Sequence, residues 1–217
     1  MLPSRLTWID ETNRNDHFFL EESDNCLFFG EYFAGKGYQG GDTNQLIINF
    51  KCKPSDARRN PRRLYYKNKA INEIAAGLRG VFPQESAERY TWVPIPPSKV
   101  IGHEEYDGRL LQTMHSAFRN YNADIRPILR QTQSTEADHS VGNRLTPDDL
   151  YAILEIDQEV YNSAPLRQGI ILFDDVITTG KHFKCCERRL REVVPPDFPI
   201  YGLFVARRIL PDPIEHF

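Results

Sequence analysis

Ile170-Ile171-Leu172-Phe173-Asp174-Asp175-Val176-Ile177-Thr178-Thr179-Gly180-Lys181-His182 runs four apolar residues into two carboxylates, two more apolar residues, two hydroxyls and a glycine. The apolar run reads as a fully buried strand of a parallel sheet. Two adjacent acids are costly in a core, so they are expected where the strand ends and a crevice opens. Open α/β sheets bind their ligands at that end of the strands. Thr178, Thr179 and Gly180 then open a turn into a helix. The amides of such a turn, backed by the helix dipole, make an anion site. Acids that accept from hydroxyls, followed by an anion cradle, suit a phosphorylated sugar.

Outward from this stretch the chain alternates. Upstream, Tyr90–Ile95 reads as a strand stopped by Pro96-Pro97. Tyr106, Leu110, Met114 and Phe118 recur every four residues, a helix stripe. Ile125–Leu129 reads as a short strand weakened by Pro127. Thr146-Pro147-Asp148-Asp149 starts a helix expected to reach about Ile156, with Thr146 as N-cap and Pro147 in the first turn. After the central stretch comes a helix with Phe183, Cys186, Leu190 and Val193 inward, then a strand over Ile200–Ala206. Alternating strands and helices imply right-handed crossovers and a mainly parallel sheet flanked by helices. Before Tyr90 the pattern differs. Residues 64–79 read as a helix, with Ile71, Ile74, Ala75 and Leu78 on one face. Residues 17–34 and 45–52 read as β segments, so residues 1–63 are expected to form a β-rich cap or hood that is not independent of the α/β core over 64–217.

The 217 residues are enough for one substantial core, and a net charge of -3 exerts no global pull on nucleic acid or anionic membranes. No apolar run approaches membrane-spanning length, and the opening residues lack the apolar stretch of a secretory signal, so the expectation is a cytoplasmic protein. Cys26, Cys52, Cys185 and Cys186 contain no Cys-x-x-Cys spacing and read as free thiols rather than a zinc site or a disulfide framework. Val93-Pro94-Ile95-Pro96-Pro97-Ser98-Lys99 is a strand opening into a rigid cationic turn at the same crevice, where Lys99 and exposed amides could hold a diphosphate. Arg130 and Arg144, near strand ends or loops, are candidate diphosphate contacts, whereas Arg109 reads as a surface ion-pair residue. Tyr106 reads as packed in the helix stripe, and His103 and His139 as solvated loop residues. Residues 51–69 hold eight Lys and Arg against Asp56 alone. Such a run reads first as a solvated face, and second as a surface for nucleic acid, with Tyr65 and Tyr66 for stacking, or as part of a hood over the crevice.

The central stretch resembles the phosphoribosyl diphosphate motif of type I phosphoribosyltransferases: a hydrophobic strand, two acids, two apolar residues, two small residues, glycine, any residue, then a small hydroxyl. The match holds from Ile170 to Lys181 and departs at His182, where a Ser or Thr is expected. The resemblance covers roughly residues 90–208. It extends loosely to a ComF-like branch, associated with DNA uptake, through the Val-Pro-x-Pro strand at Val93, Asp107–Gln112, Arg130-Gln131-Thr132, Asn143-Arg144 and Phe204–Arg207. That branch's usual zinc ribbon has no counterpart here. The resemblance implies a Rossmann-like phosphoribosyltransferase core, a dimer, and transfer of phosphoribosyl to a nucleobase or amine nitrogen with release of diphosphate. Mg²⁺ would assist, held at Asp174 and Asp175. The same two acids would accept from the ribose hydroxyls. Thr178, Thr179, Gly180, Lys181 and His182 would surround the 5′-phosphate and Lys99 would meet the diphosphate, with Val176, Ile177 and Ser98 also in the phosphoribosyl diphosphate site. Thr178 stands where enzymes for 6-oxopurines carry an acid, which argues against hypoxanthine and guanine. The alternatives are a phosphoribosyl diphosphate or nucleotide sensor without turnover, and a ComF-like accessory protein acting on DNA.

Overall fold

The computed structural model describes residues 2–135 and 145–211. His139, Asn143, Arg144 and the tail after Pro211 lie outside them. Six strands form the main sheet in the order β1-β2-β8-β7-β3-β4: β1 Thr7–Trp8, β2 Asn25–Phe33, β8 Ile200–Ile209, β7 Ile170–Ile177, β3 Thr91–Pro94 and β4 Asp124–Ile125. All neighbours are parallel except β1 and β2. The fold is therefore α/β, with a mostly parallel mixed sheet of Rossmann-like character.

β7 is central, and its apolar run alternates between two cores. Ile171 and Phe173 join Ile74, Leu78, Trp92, Met114 and Phe118. Ile170 and Leu172 join Val93, Phe183, Cys186, Leu190 and Phe204. The first core lies under α1 (Asp42–Phe50), α3 (Pro61–Val81) and α5 (Arg109–Phe118). The second lies under α6 (Pro147–Ala152) and α8 (Lys181–Leu190). A strand covered on both faces has no need of polar alternation, which is why it reads as a continuous apolar run.

The helix expected over 64–79 starts earlier, because the Asn60 side chain accepts from the amides of Arg62 and Arg63 and Pro61 fits the first turn. α6 starts as expected, with a capping box in which Thr146 Oγ1 accepts from Asp149 N and Asp149 accepts from Thr146 N. It stops short of Ile156. Leu154–Ile156 forms β6, which pairs antiparallel with β5 (Leu129–Gln131) as a separate two-stranded sheet. The strand expected over 125–129 is thus divided at Pro127 between two sheets. Three short helices, α2 (Pro54–Arg59), α4 (Gln84–Glu88) and α7 (Gln158–Asn162), complete the connections.

Two expectations for the N-terminal region are corrected. Residues 45–52 are not a strand: Asp42–Phe50 is the helix α1, and Leu46, Ile47 and Phe50 are buried at helical rather than alternating spacing. Gly41 (φ 95°) turns the chain into α1, and the buried Asn44 amide bridges Phe33 O, Phe33 N and Gly37 O. Nor is the region a β-rich cap beside the sheet. β2 lies inside it, parallel to β8, because Phe29 enters one core while Cys26 and Phe28 enter the other. Residues 17–22, expected to be a β segment, form with Ser23 and Asp24 a strap instead, in which Asp24 accepts from Glu21 N.

Candidate functional site

The site is built where β3 and β7 end. Ile95 N donates to Phe173 O at 2.9 Å, so the Pro96–Val100 loop leaves the sheet beside the acids that follow Phe173. Ser98 and Lys99 are half-buried in that loop, and Ser98 O accepts from Thr135 N. The topology thus brings Ser98 and Lys99 to the same sheet edge as Asp174, Asp175 and the turn over 178–182.

The two acids have different surroundings. Asp175 is the buried one, its side chain 4% exposed. Lys51 Nζ donates to its Oδ1 at 3.1 Å, and Arg109 Nη2 donates to its Oδ2. Arg109 also donates to Asp107 (2.9 Å), which Lys67 Nζ meets at 2.7 Å. The guanidinium lies over the Phe50 ring, 5.4 Å from its centroid. Three cations from α1's end, α3 and α5 are thereby laced to two carboxylates. Burial works to raise the Asp175 carboxyl, but Lys51 and Arg109 outweigh it and hold it well below the usual carboxylate range. Asp174 is partly exposed and accepts from Asp175 N at 2.7 Å. Among the described residues no ion pair reaches it. Burial, then the neighbouring Asp175 charge, push its carboxyl up toward neutral pH.

The turn after β7 carries Gly180 in the left-handed conformation (φ 85°) as N-cap of α8. Among the described residues no acceptor meets the amides of Thr178, Thr179 or Gly180. The carbonyls, by contrast, are held by the strap: His17 Nδ1 donates to Thr178 O, and Phe19 N donates to Thr179 O at 3.0 Å. Arg207–Asp16 anchors the strap at one end and Lys184–Asp24 at the other. His17 is fully buried, and burial keeps its imidazole below its ordinary value despite the Thr178 bond. A Cβ on Gly180 would lie 2.8 Å from Leu20 Cδ2. Gly180→Ala is therefore expected to lose about 1–3 kcal/mol of stability through backbone strain alone, read by urea unfolding; an unchanged midpoint would contradict this geometry.

Other candidates lie elsewhere. Lys181 is buried and donates to Leu145 O at 2.8 Å, tying α8 to the entry of α6. His182 is half-buried at the start of α8. Arg130 sits on the small sheet and pairs with Glu155 and Asp157 rather than with the acid pair. Tyr106 precedes α5, half-buried. Arg109 is an ion-pair residue, as expected, but a largely enclosed one, its side chain 15% exposed, rather than a surface one. Lys51 and His17 carried no signal of their own: the first is one charge in a basic run, the second a lone histidine in an irregular segment.

Among the described residues no group of three His, Cys, Asp or Glu side chains is placed for a metal. Mg²⁺ commonly takes one or two carboxylates, several waters and the substrate's own phosphates. Asp174 fits that role. Asp175 does not, since both of its oxygens are occupied by protein cations. All four cysteines are buried and free. No described helix is long and apolar enough to cross a membrane. No protein-family model matches the chain, and no curated protein matches it.

Proposed function

We propose that this crevice binds phosphoribosyl diphosphate and that the protein transfers its phosphoribosyl group to a nucleobase or amine nitrogen, as the phosphoribosyltransferases it resembles do. The observation that carries this reading is the sequence of chemistries at the end of β7. A partly exposed carboxylate that no cation among the described residues occupies is followed six residues on by a left-handed glycine, and by three amides without a described acceptor. Asp174 accepts from the ribose hydroxyls. The amides of Thr178, Thr179 and Gly180 hold the 5′-phosphate, with His182 beside them. Lys99 meets the diphosphate from the neighbouring loop. Asp175 has a different role from its neighbour: clamped by Arg109 and Lys51, it fixes the strand end from which Asp174 projects.

Transfer breaks the C1–oxygen bond to diphosphate and forms a C1–nitrogen bond, with the proton of the attacking nitrogen passing to water or to the departing diphosphate. The developing positive charge at C1 and the leaving diphosphate are what the site must stabilise. Asp174 would hold Mg²⁺, which would supply charge neutralisation for the leaving diphosphate. The test is diphosphate release from phosphoribosyl diphosphate and Mg²⁺ with a panel of nucleobases and amines. Release with at least one acceptor, reduced at least about 100-fold by Asp174→Asn, is the expected result. Binding of phosphoribosyl diphosphate without release for any acceptor would assign the protein to sensing rather than transfer.

A further inference from the structure

The basic run over 51–69 divides in the folded chain. Lys51 and Lys67 turn inward to Asp175 and Asp107. Arg58 pairs with Glu105, and Arg63 donates to Tyr38 Oη. Lys53, Arg59, Arg62 and Lys69 remain exposed. The segment holds eight Lys and Arg against one Asp, so in a chain of net charge -3 the remainder carries -10. A concentration this local is not a by-product of overall composition, and its inward members do not account for the exposed ones.

The exposed residues are also ordered. Arg62 is three and four residues from Tyr65 and from the half-buried Tyr66, and each of these is four or three from Lys69, so the four share one face of α3. The Tyr65 and Tyr66 rings meet edge to face at 5.3 Å, and Arg62 lies over the Tyr66 ring. Tyr65 is 62% exposed although nothing in the core requires a large aromatic there. The adjoining row carries exposed Leu64, which with Arg58 and Asn68 borders a depression of about 290 Å³.

We infer that this outer face of α3, with Arg59 from the end of α2, binds single-stranded nucleic acid. Cations on either side of an aromatic pair can track a phosphate backbone while unstacked bases lie on the rings. Duplex bases are already stacked and offer Tyr65 nothing, so the face distinguishes single strands from duplex. This inference is independent of the phosphoribosyl diphosphate reading, since none of these side chains belongs to the crevice.

The test is fluorescence anisotropy of a labelled mixed-sequence single-stranded oligonucleotide, and of its duplex, with the full-length protein across a salt series. Single-strand binding should fall steeply with salt and exceed duplex binding. The Arg59→Ser/Arg62→Ser/Lys69→Ser variant should lower the salt slope by about 2 and the affinity at low salt at least about 10-fold. Tyr65→Ala should weaken single-strand binding about 10-fold with the slope unchanged. These side chains are exposed, so unchanged thermal melting will show that the variants remain folded. No binding by the wild type at low salt would overturn the inference. So would equal binding by the triple variant, or duplex binding as tight as single-strand binding with Tyr65 dispensable.

Discussion

Arg109→Met is expected to destabilise the protein by about 3–5 kcal/mol, the cost of breaking a buried ion pair from one side. The guanidinium joins Asp175 to Asp107, and its side chain is 15% exposed. Burial opposes its charge, yet Asp175 and Asp107 outweigh that penalty and hold it firmly protonated. Its removal leaves Asp175 with Lys51 as its remaining cation, and Lys51 is itself 38% exposed and so partly screened. Adding Asp175→Asn to Arg109→Met should restore part of the loss, because the orphaned charge goes with it. Urea unfolding of the two single variants and the double variant measures this. A loss below about 1 kcal/mol for Arg109→Met would mean that the network is not closed in solution. The pH dependence follows from the depressed Asp175 carboxyl. The stability it contributes is present above the ordinary carboxylate value and is lost as pH falls through the acid range.

Asp174 should behave in the opposite sense. Its carboxyl is raised by burial and by the Asp175 charge, so the native state holds a proton that the unfolded chain gives up. That contribution is full below the unfolded value. It is lost as pH rises through the raised native value, toward neutrality. Asp174→Asn removes this dependence, so at about pH 8 the variant should be at least as stable as the wild type and its stability should vary less between about pH 5 and 8. Parallel unfolding curves across that range decide it. A variant markedly less stable at the high end would show that the ionised carboxylate is stabilising, and that Asp174 is part of the scaffold rather than held in reserve for a ligand.

The parts legible in the sequence are those where one local pattern has one structural outcome. The run Ile170–Phe173 is a buried parallel strand, and Thr146-Pro147 with Asp149 caps a helix. Leu46–Phe50 is ambiguous by nature, because a short segment of four apolar residues and Asn49 has no resolvable period and contacts outside it select the helix. The clamp of Asn44 on Phe33 and Gly37 is one such contact. β2 differs from expectation in place rather than in kind: its strand character is local, but its pairing with β8, some 175 residues away, is not. The same limit governs the site. The acid pair and the glycine turn are contiguous and could be read together. The division of labour between Asp174 and Asp175 could not, since it depends on Lys51 and Arg109 arriving from other elements. His17 reaches Thr178 across 161 positions for the same reason.

The most direct test of the crevice is calorimetric titration of phosphoribosyl diphosphate with Mg²⁺ into the wild type and Asp174→Asn. The proposed function predicts saturable binding by the wild type, and its loss in a variant that remains folded. Absence of wild-type binding, or equal affinity in Asp174→Asn, would contradict a sugar-phosphate site at the end of β7.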